Sequence, residues 1–166
     1  MVDLSNDLPY MIDRVDEAII RALQDDGRLS NQALADRIGL SPSACLRRVR
    51  RLEDDGVLIG YRAIVDPHAV GRSQTVLVAI TLQSQRVELL DAFEAAVVGC
   101  PGLRSCHLMA GQADYLLRLD VDGVAHYERI HRSYIAGLPG VTDIVSTFAL
   151  RTVVDDAPLP VSAAGE

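Results

Sequence analysis

Ser41-Pro42-Ser43-Ala44-Cys45-Leu46-Arg47-Arg48-Val49-Arg50-Arg51-Leu52 is the stretch whose reading decides the fold. Ser41 is placed to cap a helix, and Pro42 falls in its first turn, where a missing N–H costs nothing. At about 100° per residue, Cys45, Val49 and Leu52 share one face, with Leu46 at its margin. Ser43, Arg47 and Arg50 point almost opposite. Ala44 and Arg51 flank that outer face, and Arg48 lies nearer the core edge. One side is therefore expected to hold the helix to its neighbours. The other presents short polar residues first and guanidiniums later. Four arginines within five residues, on a chain of net charge −7, are placed charge. Only Glu53, Asp54 and Asp55 stand nearby as expected partners. Duplex DNA is the partner such a ridge fits.

The residues on either side extend the pattern. A first helix is expected after the cap Asp13, with Val15, Ile19, Ile20 and Leu23 on one face, ending at Asp25-Asp26-Gly27. A second follows the cap Ser30, with Leu34, Ala35 and Ile38 inward. Gly39 makes the turn into the third helix, where a positive φ is cheap only for glycine. Beyond Asp54-Asp55-Gly56, Val57-Leu58-Ile59 and Tyr61-Arg62-Ala63-Ile64-Val65 read as two short strands around Gly60. Three helices and a hairpin make a winged helix-turn-helix.

Asp66-Pro67-His68-Ala69-Val70-Gly71 is the expected linker. After it the character changes. Thr75 to Leu82 is a strand by its β-branched content, with Val76, Val78, Ile80 and Leu82 on one face. Val87, Leu90, Phe93 and Val97 recur at helical spacing. Cys100-Pro101-Gly102 is a turn. Ser105–Ala110 and Tyr115–Val121 are strands around Gly111-Gln112-Ala113-Asp114. Val124, Tyr127, Ile130, Tyr134 and Leu138 make another helix, and a last strand is expected over Ile144–Val154. The order β-α-β-β-α-β is ferredoxin-like. The sheet face away from the helices carries Leu77, Ala79, Val145 and Ala149. That is too apolar to stay wet, so sheet-to-sheet dimerisation is expected. The fold class is thus α+β. The expected divisions are a flexible N-terminus 1–12, a DNA-binding domain 13–65, a linker 66–71, a ferredoxin-like effector-binding and oligomerisation domain 72–154, and a flexible tail 155–166.

These residues resemble the Lrp/AsnC, or feast/famine, transcriptional regulators in register through both halves. The DNA-binding half carries Leu23-Gln24-Asp25-Asp26-Gly27-Arg28, Gly39-Leu40-Ser41-Pro42 and Cys45 through Glu53. The second half carries Cys106-His107-Leu108-Met109-Ala110-Gly111-Gln112-Ala113-Asp114-Tyr115 and Leu138-Pro139-Gly140-Val141. The resemblance implies a sequence-specific regulator that dimerises through its C-terminal sheets, with four dimers forming an octamer. It also implies a small effector, typically an amino acid, bound between subunits. The Gly-x-x-Asp turn is then the expected pocket: Met109, Gly111, Gln112, Asp114 and Tyr115, with Asp114 facing an α-ammonium group. On the DNA side, Ser43, Ala44 and Arg47 are expected at base edges. Ser41, Arg48, Arg50 and Arg51 are expected on phosphates.

Other chemistries fit less well. Cys45, Cys100 and Cys106 show no CxxC pairing. His126 and His131 are five apart and do not share a helix face as an i, i+4 pair would. Cys106 and His107 are adjacent on a strand and point to opposite faces. No catalytic or metal site and no cofactor is therefore expected, and an enzyme or ligand carrier is the weaker reading. An architectural DNA-compacting protein is the nearer alternative. No apolar run approaches the roughly 20 residues of a membrane span, and the N-terminus shows no secretory pattern, so the cytoplasm is the expected compartment. Residues 1–65 carry nine Arg against eleven acids, and residues 66–166 carry seven against twelve. DNA affinity must then come from local placement, with marked salt sensitivity.

Overall fold

A computed structural model describes residues 12–162, which form two units. Unit 1 combines the chain up to Ala63 with the segment from Asp156 onward, and unit 2 runs from Ile64 to Asp155. The expected flexible stretch 1–12 lies outside the described residues, save for Ile12.

Unit 1 holds α1 (Arg14–Asp25), α2 (Asn31–Ile38) and α3 (Pro42–Asp54). Each starts where a side chain can satisfy its unpaired N–H groups. The Asp13 carboxylate accepts from the N–H of Val15 and of Asp16, both at 2.8 Å. Ser30 accepts from Ala33 at 3.1 Å and Ser41 from Ala44 at 3.3 Å. Gly39 ends α2 at φ 73°, a left-handed conformation that only glycine adopts without cost. Ile19, Leu34, Ala35, Cys45 and Leu52 are fully or almost fully buried where the helices meet. Burying each of the larger side chains contributes about 1.5–3 kcal/mol.

The expected hairpin after α3 does not form: residues 57–65 contain no strand. Leu58 donates its N–H back to Leu52 at 2.9 Å, which spends that group on closing the helix end. Ile59 and Ile64 are exposed, so β-branched content alone gave them no partner strand.

Unit 2 orders its elements as β1 (Gln74–Leu82), α4 (Val87–Val97), β2 (Leu103–Leu108), β3 (Tyr115–Val121), α5 (Val124–Ser133) and β4 (Val141–Phe148). The sheet is antiparallel in the order β2-β3-β1-β4. This is the βαββαβ arrangement that the sequence implies. Val76, Val78 and Ile80 of β1 and Leu117, Leu119 and Val121 of β3 have no exposed surface and meet Phe93, Val97, Tyr127 and Ile130 of the helices. On the opposite face Ala79 pairs with Val145, and Leu77 pairs with Thr147. Gly102 (φ 77°) lets the chain pass so close to β3 that an added Cβ would meet the Asp120 carbonyl oxygen at 2.7 Å.

Several details differ from expectation. β2 runs over Leu103–Leu108 rather than Ser105–Ala110. Val87 and Val124 open their helices but are exposed, because the first turn lies outside the packed stripe. α5 gives way to a 3-10 turn, Ile135–Gly137. β4 begins at Val141 and ends at Phe148, so Val153 and Val154 lie beyond it and are exposed. Of the expected flexible tail, residues 155–162 are described, and Val161 packs on the core of unit 1.

Candidate DNA interface and ligand turn

α3 presents Ser43, Arg47, Arg50 and Arg51 on one open surface, bordered by Leu46, Asp54 and Asp55. Its N-terminal end is tightly made. The Ser41 and Ser43 hydroxyls lie 3.3 Å apart, and the Pro42 carbonyl accepts from the Asn31 side chain at 2.8 Å. Among the described residues Arg47 and Arg50 form no ion pair, and both are exposed.

The other two arginines have partners that the sequence reading missed. Arg48 Nη1 donates to Asp13 Oδ2 at 2.6 Å and to Asp16 Oδ1 at 2.8 Å. Arg51 Nη2 donates to Asp16 Oδ2 at 2.7 Å. The Asp16 side chain has no exposed surface, whereas Arg48 keeps 27% of its side chain exposed and Arg51 keeps 49%. The expectation that only Glu53, Asp54 and Asp55 could neutralise the ridge is therefore corrected. The buried carboxylate comes from α1, distant in sequence and close in the fold. Its signal was present in the spacing Asp13-x-x-Asp16, where each side chain reaches the other's backbone N–H in a capping box. The N–H of Asp16 and the guanidinium of Arg48 hold the Asp13 carboxyl below its usual range. Asp13 and Asp16 in turn push the Arg48 guanidinium further up. Of the four arginines of the ridge, Arg48 and Arg51 are tethered, and Arg47 and Arg50 form no ion pair among the described residues.

The turn between β2 and β3 also divides in two. Met109, Gly111 and Gln112 are exposed, and the Met109 N–H donates to the Asp114 carbonyl at 2.8 Å. Asp114 and Tyr115 face inward, with 6% and 1% exposure. Asp114 Oδ2 accepts from the Leu82 N–H at 2.7 Å, and Oδ1 accepts from Gln85 Nε2 at 2.6 Å. The carboxylate thus ties the end of β1 to the loop that enters α4. Each of its oxygens accepts one hydrogen bond within this unit. Tyr115 stacks on Phe93 with ring centroids 4.4 Å apart and donates its hydroxyl to Glu94 at 2.7 Å. Burial, with Glu94 beside it, raises its phenol well above the usual value.

The histidines and cysteines stay apart. His126 Nδ1 lies 3.1 Å from the Asp122 N–H, and His131 stands beside the Tyr127 ring. Cys106 packs toward the core while His107 is exposed. Burial pushes the Cys100 thiol up to about 11, which leaves it protonated and inert. Among the described residues no group of three or more His, Cys, Asp or Glu side chains is arranged to hold a metal.

A helix-turn-helix head with a projecting cationic face, joined to a separate α+β unit, has the build of a DNA-binding regulator with a ligand-sensing domain. Comparison with known proteins gives the same class. Residues 12–59 match the winged helix-turn-helix DNA-binding model, and residues 75–159 match the Lrp/AsnC ligand binding domain. The chain belongs to the Lrp/AsnC family of transcriptional regulators. It is 42% identical to the Bkd operon transcriptional regulator of Pseudomonas aeruginosa, over 86% of this chain and 94% of that one. It is 41% identical to the leucine-responsive regulatory protein of Escherichia coli, over 86% and 87%. Among solved structures, a transcriptional regulator from Neisseria meningitidis in complex with L-Met superposes with a TM-score of 0.84 at 31% identity, covering 89% of this chain and 96% of that one.

Proposed function

We propose that this regulator reads an operator in duplex DNA through α3 and that an amino acid bound to its C-terminal unit modulates that binding. The observation that carries the DNA half is the division of the arginines. Among the described residues Arg47 and Arg50 form no ion pair, while Asp16 holds Arg48 and Arg51. Ser43, Ala44 and Arg47, at the N-terminal half of the helix, approach base edges. A guanidinium on guanine discriminates by about 1–3 kcal/mol. Ser41 and Arg50 hold phosphates, and Arg48 and Arg51 add a weaker field from their tethered positions.

The effector half rests on the ligand-binding family model and on the L-methionine complex of the Neisseria regulator. Met109, Gly111 and Gln112 are its candidate contacts, with Asp114 and Tyr115 supporting the turn from within. The apolar outer sheet face, where Leu77 and Val145 are 38% and 56% exposed, favours dimers formed sheet to sheet. Four such dimers in an octamer are what the family resemblance adds to this reading. The protein works by coupled binding equilibria rather than catalysis, and needs no cofactor. Its place is the cytoplasm, with its DNA. No helix among the described residues is long and apolar enough to cross a membrane.

Fluorescence anisotropy on operator DNA, with scrambled competitor and with each common amino acid in turn, tests the proposal. Saturable binding that survives competitor and shifts with one amino acid is the expected result. Binding lost to competitor would favour the architectural, DNA-compacting alternative. Coupling measured from the effector side must equal that measured from the DNA side.

A further inference from the structure

The segment Ala157-Pro158-Leu159-Pro160-Val161 lies against α1, within unit 1. The Gln24 side chain meets Leu159 with both of its polar atoms. Oε1 accepts from the Leu159 N–H at 2.7 Å, and Nε2 donates to the Leu159 carbonyl at 3.1 Å. One turn back along the helix, Arg21 Nη2 donates to the Val161 carbonyl at 2.9 Å. The Val161 side chain packs on the helical core. Asp156, in the left-handed region at φ 51°, turns the chain into this segment and pairs with Arg62.

The sequence fits the contact. Pro158 and Pro160 have no N–H, so Leu159 offers the only backbone donor between them, and that is the group Gln24 takes. Proline also restricts the residue before it to extended conformations, which holds Ala157 and Leu159 in the shape that docks. Such a segment is already extended and loses little chain entropy on binding.

We infer that the outer face of α1 is a docking site for the chain's own segment Asp156–Val161, which acts as a strap on the DNA-binding head. The neighbouring Asp155 belongs to unit 2, where Arg118 grips it through both terminal nitrogens, Nη2 at 2.8 Å. Consecutive aspartates thus anchor the strap, one in each unit. The chain passes from one unit to the other at residues 63–64 and again at 155–156, so two covalent crossings join them. α1 carries the strap on Arg21 and Gln24 and carries Asp13 and Asp16, the tethers of Arg48 and Arg51. Displacement at the end of unit 2 therefore reaches the recognition helix through one rigid element. This last step rests on the regulator reading proposed above.

Hydrogen exchange on the full chain tests the docking without reference to DNA. The Leu159 amide is expected to exchange at least about tenfold slower than an unstructured amide, and Gln24→Ala is expected to abolish that protection. Ile19 and Leu52 should stay protected in the variant, which shows that the head remains folded. Random-coil exchange at Leu159 in the wild-type protein would overturn the strap. Transmission is read from the factor by which L-methionine alters operator affinity. Gln24→Ala is expected to reduce that factor at least about threefold, since a coupling carried by a physical element weakens when the element is released. An unchanged factor would overturn transmission through the strap. A wild-type protein with no methionine effect would overturn it together with the effector reading, and the exchange data would still decide the docking.

Discussion

Arg48 Nη1 stands 2.8 Å from the carboxylate of Asp16, a side chain with no exposed surface, so a residue of α3 is held by a buried carboxylate on the first helix. Asp16 also accepts from Arg51 at 2.7 Å and is the third residue of its helix's capping box. One carboxylate thus fixes the start of α1 and the attitude of α3. Losing it takes the buried acceptor from both guanidiniums and leaves Arg48 its bond to Asp13. Arg51 is half-exposed and can turn to water, which limits the damage. Asp16→Ala is expected to lower the stability of the head by about 2 kcal/mol. Urea unfolding of wild type and variant measures this, and a change under about 0.5 kcal/mol would mean that the pair contributes no more than an ordinary surface bridge.

The division of the arginines can be read from salt dependence. Each phosphate contact adds about 0.9 to the slope of log K against log salt. Arg47→Ala and Arg50→Ala are each expected to lower the slope by about that amount, and Arg48→Ala by clearly less. Arg47→Ala should also weaken operator binding more than binding to scrambled DNA. Equal slopes for all three variants would show that the tether to Asp16 opens on DNA.

At the β2–β3 turn, stability and response should separate by residue. Asp114→Ala leaves the Leu82 N–H and the Gln85 amide without their acceptor and is expected to cost unit 2 about 1–3 kcal/mol. Met109→Ala and Gln112→Ala remove exposed side chains and should stay within about 0.5 kcal/mol. They are expected instead to shift the effector midpoint, as measured by anisotropy of the DNA complex. Effector response intact in both variants would remove this turn from the ligand site.

Acid should loosen the head through Asp13. Its carboxyl is held below the usual 3.8, chiefly by the Asp16 N–H, with Arg48 adding to the effect. A depressed carboxylate contributes stability that is fully present above the unfolded value and lost as pH falls through the folded value. The urea midpoint of the head should therefore be flat from neutrality to about pH 5 and fall below about pH 4. Asp13→Asn, which keeps a good cap, should flatten that fall. An unchanged acid limb would place the sensitivity elsewhere.

Much of the fold follows from local chemistry. Asp13, Ser30 and Ser41 announce the helix starts because a cap needs one short acceptor at one position. The alternation Val76, Val78, Ile80 marks β1 because both the pleat and the core demand it. Local patterns say less where tertiary contacts decide. Val153 and Val154 have strand propensity but lie past the end of β4. Ile59 and Ile64 have it too and pair with nothing in a sheet. The outward arginine face of α3 was legible from helical phase alone. That Arg48 and Arg51 are tethered was not, since their acid comes from some 35 residues earlier in the chain. The inward turn of Asp114 and Tyr115 escaped for the same reason: a Gly-x-x-Asp turn reads identically whether its acid faces water or the end of β1. The tail's proline content suggested flexibility, and the same prolines keep Leu159 extended where Gln24 meets it.

A head assembled from the first 63 residues and the segment after 155 also has a history on the ribosome. The three helices emerge first and can fold at once, but the peptide that covers α1 follows roughly a hundred residues later. At translation speeds of about 5–20 residues per second, the nascent head waits some seconds with that face bare. Throughout that interval the sensing unit is itself being made, so a head with its strap in place exists only on a chain that already carries its sensor.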